Sequence, residues 1–158
     1  ISLWKGDNTV LVVIVDSNME PATDELVEKV QCYIDPIGEK VGENEWTTWG
    51  KGRGQAPLGA FCTVKSAEIK EISISLSITT KEGMSETTTK EKIRENIESY
   101  FKDLSLSGKF ISYAKIGALI FAVDGVLDYS NLLVNGSNEN IDLGELETPV
   151  LKEVVFNE

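Results

Sequence analysis

The sequence predicts an α+β protein of two small modules, each a mixed or antiparallel sheet packed by one or two helices. The β-branched run TVLVVIV at residues 9–15 is too short for a typical helix and predicts a strand. Isoleucine and leucine alternate with serine and threonine over residues 72–79, as in a strand with one buried face. Two further stretches repeat apolar residues at helical spacing. We place the modules at residues 1–66 and 67–158.

The first module starts with strand 9–15, which we expect to be buried, followed by a helix over residues 21–34. Thr23 is a suitable N-cap for this helix, because its hydroxyl can accept from a free N–H of the first turn. A strand over residues 58–64 completes the module. Residues 1–4 also resemble part of a strand. We therefore expect the chain to be a fragment of a longer protein, with a first module that lacks an upstream helix.

Residues 38–58 form the least regular segment and predict a long loop, which in a compact domain is frequently functional. Two interpretations of its indoles are open: packing against their own domain, or exposure as anchors of an interface. If one surface meets a partner, we predict that it contains Trp46, Trp49 and Arg53. The glycine-rich stretch 50–54 lacks the spacing of a phosphate-binding loop, and we interpret it as a flexible loop.

The second module begins with a strand over residues 68–80. Thr88 and Glu91 fit a capping box and place a helix start there. The helix would end near residue 106 and bury a stripe of apolar residues. The remaining predicted elements are a helix from residue 112 or 113, a strand over 126–134, a turn at Asn135-Gly136 and a final strand over 150–156.

Composition argues against several classes of function. The sequence has no histidine, which removes the usual general base and the commonest metal ligand. Cys32 and Cys62 lack the spacing of a zinc site, and we expect both to be buried, with a disulfide left open. Asp16, Asn18 and Glu20 do not continue as a calcium-binding loop. We predict no enzyme activity, no metal and no cofactor.

The net charge of −11 argues against nucleic-acid binding, which normally uses a basic patch to displace counterions from phosphates. No apolar run approaches the roughly 18 residues that would span a membrane. Residues 135–137 match a glycosylation sequon, but Asn-Gly is more simply a tight turn. We therefore expect neither nucleic acid nor membrane among the partners.

Several motifs, in their order and spacing, resemble the baseplate J-like family of contractile phage tails, in the form found in prophages of Gram-positive bacteria. The resemblance covers almost the whole chain and corresponds to the C-terminal part of the family. The loop at residues 39–51 departs from it, since it is longer than the usual link. The motifs are VVIVDSN at 12–18, GQAPLGA at 54–60, YAKIGA at 113–118, DGVLDY at 124–129, LVNG at 133–136, NIDL at 140–143 and ETPVL at 147–151.

The resemblance implies a structural, non-catalytic subunit of a phage or prophage tail baseplate. Such a subunit would join wedges that connect hub, sheath and fibres. Its partners would be other baseplate and tail proteins, with several copies in the assembled particle. It would reside in the virion tail after synthesis in the bacterial cytoplasm. The alternative is a ligand- or glycan-binding module that uses the loop with Trp46 and Trp49.

Overall fold

The computed structural model describes residues 6–157, so the strand expected at residues 1–4 lies outside the described part. The chain forms two compact units, Ile1–Ala67 and Glu68–Glu158. Both combine helices with small sheets, which confirms the α+β class. Within residues 6–157, none of the helices has the length and apolar character needed to cross a membrane.

The first unit contains strand β1 (Thr9–Ile14), helix α1 (Asp24–Ile34) and strand β2 (Phe61–Ser66). The two strands pair in parallel, whereas a mixed or antiparallel sheet was predicted. The parallel direction requires a crossover connection between the strands, and α1 with the following loop supplies it.

Strand β1 is less buried than its composition predicts. Val10 is 47% exposed and Leu11 is 48% exposed, so the expectation of a buried strand is wrong for this half of β1. The physical reason is that, within residues 6–157, β2 is the only strand that pairs with β1. A parallel strand is normally covered on both faces.

Helix α1 has the predicted N-cap, but it begins at Asp24 and not at the predicted residue 21. The Thr23 hydroxyl accepts a hydrogen bond from the Leu26 N–H at 3.3 Å, which confirms the N-cap. Asp24 and Glu25 occupy the first turn, where the helix dipole favours negative charge.

The second unit contains a mixed three-stranded sheet, as predicted. Strand β3 (Glu68–Thr80) lies in the centre, antiparallel to one neighbour and parallel to the other. The neighbours are β5 (Val126–Val134) and β7 (Glu147–Phe156). A two-residue antiparallel pair, which the sequence did not reveal, joins β4 (Phe110–Ile111) and β6 (Ile141–Asp142).

Helices α2 (Glu86–Leu104) and α3 (Tyr113–Phe121) complete the core of the second unit. The N-cap of α2 is Ser85, whose hydroxyl accepts from the Thr88 N–H, so the predicted start at Thr88 is wrong by one turn. The predicted apolar stripe of α2 is confirmed at its fully buried positions. The fully buried apolar residues of this core are Ile72, Ile74, Leu76, Ile93, Ile97, Phe101, Ile111, Ile116, Ile120 and Val134.

The predicted turn at Asn135-Gly136 is confirmed. Both residues have positive φ, 48° and 75°, as a type I′ turn requires. The Asn135 side chain accepts from the Ser73 N–H at 2.7 Å and donates to the Glu71 carbonyl at 3.2 Å. The turn therefore also binds the backbone of β3.

Candidate functional site

The loop between α1 and β2 buries both of its indoles. Trp49 is fully buried and Trp46 is 8% exposed. Their rings meet edge to face with centroids 4.6 Å apart, and Trp49 meets the Phe61 ring in the same way at 5.0 Å. Such aromatic contacts add stability beyond area burial. The two side chains form an interior cluster, so the expectation of exposed anchors is wrong for Trp46 and Trp49.

Arg53 is the one member of the predicted interface whose side chain the structure leaves exposed. It lies in the glycine-rich stretch 50–54, which follows the two tryptophans in the sequence. Its role in an interface stays a prediction.

Backbone hydrogen bonds shape the part of the loop that carries the indoles. The Thr47 N–H donates to the Glu39 carbonyl at 2.9 Å, and the Val41 N–H donates to the Glu45 carbonyl at 2.9 Å. Lys40 pairs with Trp46 in an antiparallel bridge. The Lys40 ammonium lies 5.5 Å from the centre of the Trp46 ring, within the range of a cation–π contact. The loop is a hairpin folded against its own unit.

Side chains of the helix and the loop cover the outer edge of β2. Gln31 accepts from the Val64 N–H at 2.7 Å and donates to the Cys62 carbonyl at 3.0 Å. The Trp49 indole N–H donates to the same carbonyl at 2.8 Å. Because an unpaired buried backbone group is costly, these bonds stabilise the edge of a two-stranded sheet.

Asp35 extends this cover at the C-cap of α1. Its carboxylate is fully buried and accepts from the Cys62 N–H at 3.0 Å and the Gly50 N–H at 3.0 Å. One side chain therefore holds the loop and β2 together. We call Gln31, Asp35 and Trp49 the edge clamp.

Gln31 and Asp35 are two important residues that were not predicted from the sequence. A signal was present for Gln31, because it lies four residues after Val27 and three before Ile34, on the apolar stripe of α1. A polar residue on such a stripe needs a buried partner. The partners themselves lie about 30 residues away and cannot be identified from helical spacing.

At two positions of stretch 50–54 the structure leaves no space for a side chain, so glycine is required there. The interpretation of this stretch as a merely flexible loop is therefore incomplete. A Cβ on Gly54 would lie 2.4 Å from the Ile34 carbonyl oxygen. Gly50 has a φ of +71°, and a Cβ there would lie 2.4 Å from the Phe61 ring. These positions allow the loop to approach α1 and β2 closely.

The two cysteines are free and differ in environment. Cys62 is buried as expected, whereas Cys32 is exposed and the expectation of burial is wrong there. Burial raises the pKa of the Cys62 thiol, and the negative charge of Asp35 raises this pKa further. Both causes disfavour the thiolate.

A cleft of about 780 Å³ lies beside the edge clamp, between α1 and the last four residues of β2. Its apolar lining includes Val27, Ile37 and Val64, and Gln31 also contributes to its lining. The carboxylates of Asp24 and Glu28 line the side of the cleft that is formed by α1. The apolar and charged residues of this lining can contact another molecule.

Clusters suited to metal binding are not found in the described part of the chain. Among residues 6–157, no three histidine, cysteine, aspartate or glutamate side chains come together as such a site requires.

Comparisons with known proteins give the family. The Baseplate J-like central domain matches residues 1–66, and the Baseplate J-like protein C-terminal domain matches residues 72–157. Two Bacillus subtilis (strain 168) proteins, Phage-like element PBSX protein XkdT and Uncharacterized protein YqbT, are each 36% identical over 152 residues. The match covers 96% of this chain and 40% of each relative.

The chain thus spans about two-fifths of the length of these curated relatives. The two family matches follow one another along the chain and together cover nearly all of it. The chain belongs to the baseplate J-like family and contains sequence of its central and C-terminal domains.

Proposed function

We propose that this chain is a structural, non-catalytic part of the baseplate of a contractile phage or prophage tail. The family match over both units carries the proposal, and a relative named as a protein of a phage-like element supports it. The partners would be other baseplate and tail proteins, joined in wedges between hub, sheath and fibres. The chain would be present in several copies in the virion tail, without nucleic acid.

The exposed part of β1 is the structural observation that favours assembly. Val10 and Leu11 are consecutive in a strand, so their side chains point to opposite faces. Each is nearly half exposed, and thus both faces of β1 present apolar surface. Single exposed apolar residues need no explanation, but apolar surface on both sides of an edge strand is a hazard for aggregation. A partner that covers β1 would remove this hazard.

The test uses the full-length gene in a host whose prophage can be induced. In the double variant Val10→Lys/Leu11→Lys, lysine keeps the edge soluble and disfavours burial in an interface. The matched control is Val41→Lys/Leu58→Lys, which changes exposed apolar residues outside β1. We expect purified tails to contain at least about tenfold less of the β1 variant, equivalent to about 1.4 kcal/mol of binding free energy.

Quantitative mass spectrometry of purified tails gives the result, and circular dichroism checks that both variants are folded. Equal incorporation of the β1 and control variants would contradict the role of β1. Absence of the unmodified protein from purified tails would contradict the proposed function as a whole.

Arg53 is the part of the predicted interface that remains open to a direct test. Arg53→Glu would weaken incorporation if this side chain meets a partner, and Lys51→Glu is the matched control in the same loop. Replacement of the buried Trp46 and Trp49 by alanine is unsuitable, since large cavities would destabilise the unit itself.

The structure gives no support to the alternative of a glycan- or ligand-binding module at this loop. Sugar binding commonly uses an exposed aromatic face, whereas both indoles lie in the interior. A glycan array with the purified chain tests this directly. Specific binding that Arg53→Glu abolishes would restore the alternative.

A further inference from the structure

The edge clamp covers the outer edge of β2 as far as the Val64 N–H. Along a strand, backbone groups point alternately to one neighbour and to the other. The Phe61 and Ala67 N–H groups donate to β1 or its flank, whereas those of Cys62 and Val64 face the clamp. By this alternation the Val64 carbonyl and the Ser66 N–H also point away from β1.

Helix α1 runs antiparallel to β2, because Gln31 bonds to Val64 whereas Asp35, later in the chain, bonds to Cys62. Gln31 accepts a hydrogen bond from the Val64 N–H. The preceding turn of α1, which contains Val27 and Glu28, therefore lies beside the last residues of β2. The cleft at this place has about 780 Å³, within the range of ~300–1,000 Å³ that is typical of ligand sites. An added strand would lie about 4.8 Å from β2. Val27, Ile37 and Val64 give the cleft apolar positions for the side chains of such a strand.

The helix wall of the cleft is acidic. Asp24 and Glu28 lie one turn apart, line the cleft and are exposed. Neither has an ion-pair partner among residues 6–157, whereas nearby Glu25 pairs with Lys29 at 2.7 Å. Lys65 lines the cleft on the strand side. With a chain charge of −11, these carboxylates favour a basic occupant.

We propose that this cleft binds an extended basic segment of a partner protein, which adds as a strand to β2 through the Val64 carbonyl and the Ser66 N–H. Its apolar side chains would contact Val27 and Val64, and a lysine or arginine would reach Asp24 and Glu28. Backbone pairing supplies affinity in this mode, and the side-chain contacts supply specificity. The proposal rests on the proposed structural role, because it gives the chemistry of one partner.

The first test selects binders from a displayed library of random twelve-residue peptides, with the purified full chain as target. We expect the enriched peptides to alternate lysine or arginine with β-branched residues. Hydrogen exchange then compares the free chain with the chain saturated with one such synthetic peptide. The Ser66 amide should exchange at least about tenfold more slowly with peptide, while the Thr63 amide, which faces β1, should not change.

The second test uses variants of the cleft. Asp24→Asn/Glu28→Gln should weaken peptide binding by about tenfold, because two carboxylates are lost. The matched control is Glu20→Gln/Glu25→Gln, which removes two negative charges outside the cleft and should leave affinity unchanged. Ser66→Pro should also weaken binding by about tenfold, since proline lacks the N–H and is tolerated where that group faces outward.

Three outcomes would overturn the proposal. They are a selection without basic extended peptides, an unchanged Ser66 amide, and equal affinities of the cleft variants and the control. Because Asp24 and Glu28 are exposed, the test of their variant does not depend on the folding of the proline variant.

Failure of the cleft proposal and failure of the proposed function can be distinguished. If the peptide tests fail but purified tails contain the chain in normal amounts, the proposed function is not contradicted. Tails that lack the chain would contradict that function independently of the cleft.

Discussion

Gln31 shows how one polar side chain can replace a strand. Its amide has both a donor and an acceptor, so it can bond to a carbonyl and an N–H of the same strand edge. It does so with Cys62 and Val64, and its side chain is buried while making these bonds. A leucine at this position would fill the helix stripe but leave the Val64 N–H without its acceptor.

The first prediction concerns the loss of these bonds. Gln31→Ala leaves the buried Val64 N–H unsatisfied, whereas the Cys62 carbonyl keeps its bond from the Trp49 indole N–H. An unsatisfied buried group costs about 1–3 kcal/mol. We expect the free energy of unfolding of the first unit to fall by about 2 kcal/mol or more. Urea unfolding followed by tryptophan fluorescence measures this, because all three tryptophans lie in residues 1–67.

Gln55→Ala is the matched control for Gln31→Ala. Gln55 is exposed in the same unit, and surface substitutions usually change stability by less than about 0.5 kcal/mol. An equal loss of stability in both variants would show that the edge clamp has no special role.

The second prediction concerns the two thiols. At pH 8 we expect iodoacetamide to label Cys32 rapidly and Cys62 slowly, because alkylation requires an accessible thiolate. Cys62 is buried, and its raised pKa reduces the thiolate fraction at any given pH below that of an ordinary cysteine. Mass spectrometry should find one label on the folded chain and two in denaturant.

Cys32→Ser provides the control for thiol labelling. This variant should remain almost unlabelled while folded and take one label in denaturant. Rapid labelling of the folded variant would contradict the buried environment of Cys62.

At the scale of elements, clean periodicity predicted most of the second unit. The alternation over residues 72–79 predicted a strand within β3, and the apolar stripe of α2 predicted its buried face. Prediction failed where local signals compete or are short. Ser85 and Thr88 are both suitable caps three residues apart, and β4 with β6 pairs only two residues on each side.

The third prediction separates the two possible caps of α2. Ser85→Ala should lower the free energy of unfolding by about 1 kcal/mol, because the Thr88 N–H loses its acceptor. Thr88→Ala should cost less, since Thr88 lies inside the first turn. Urea unfolding followed by circular dichroism at 222 nm measures both. A larger loss for Thr88→Ala would favour the capping box instead.

At the scale of the whole molecule, the two units differ in what the sequence could reveal. The core of the second unit arises from stripes that are visible in the chain. The candidate site of the first unit depends on bonds between residue 31 or 35 and residues 50–64, which no local pattern encodes. The burial of Trp46 and Trp49 likewise depends on where the loop folds back. The sequence could indicate that the loop is unusual, but it could not indicate which side chains of the loop are buried.

The last prediction concerns the independence of the second unit. Among residues 6–157, the buried residues of its hydrophobic core all lie within residues 72–154. We therefore expect residues 68–158 to fold alone. At typical stabilities per residue, the free energy of unfolding should be about 5–14 kcal/mol. Urea unfolding followed by circular dichroism should show one cooperative transition.

Ile97→Ala tests whether this core is the same in the isolated unit and in the full chain. Ile97 is fully buried, and its truncation should cost about 2–5 kcal/mol in both contexts. Ala118→Gly is the control on an exposed helix position and should cost about 1 kcal/mol through helix propensity. A broad, non-cooperative transition, or a cost of Ile97→Ala that appears only in the full chain, would mean that the second unit needs the first to form its core.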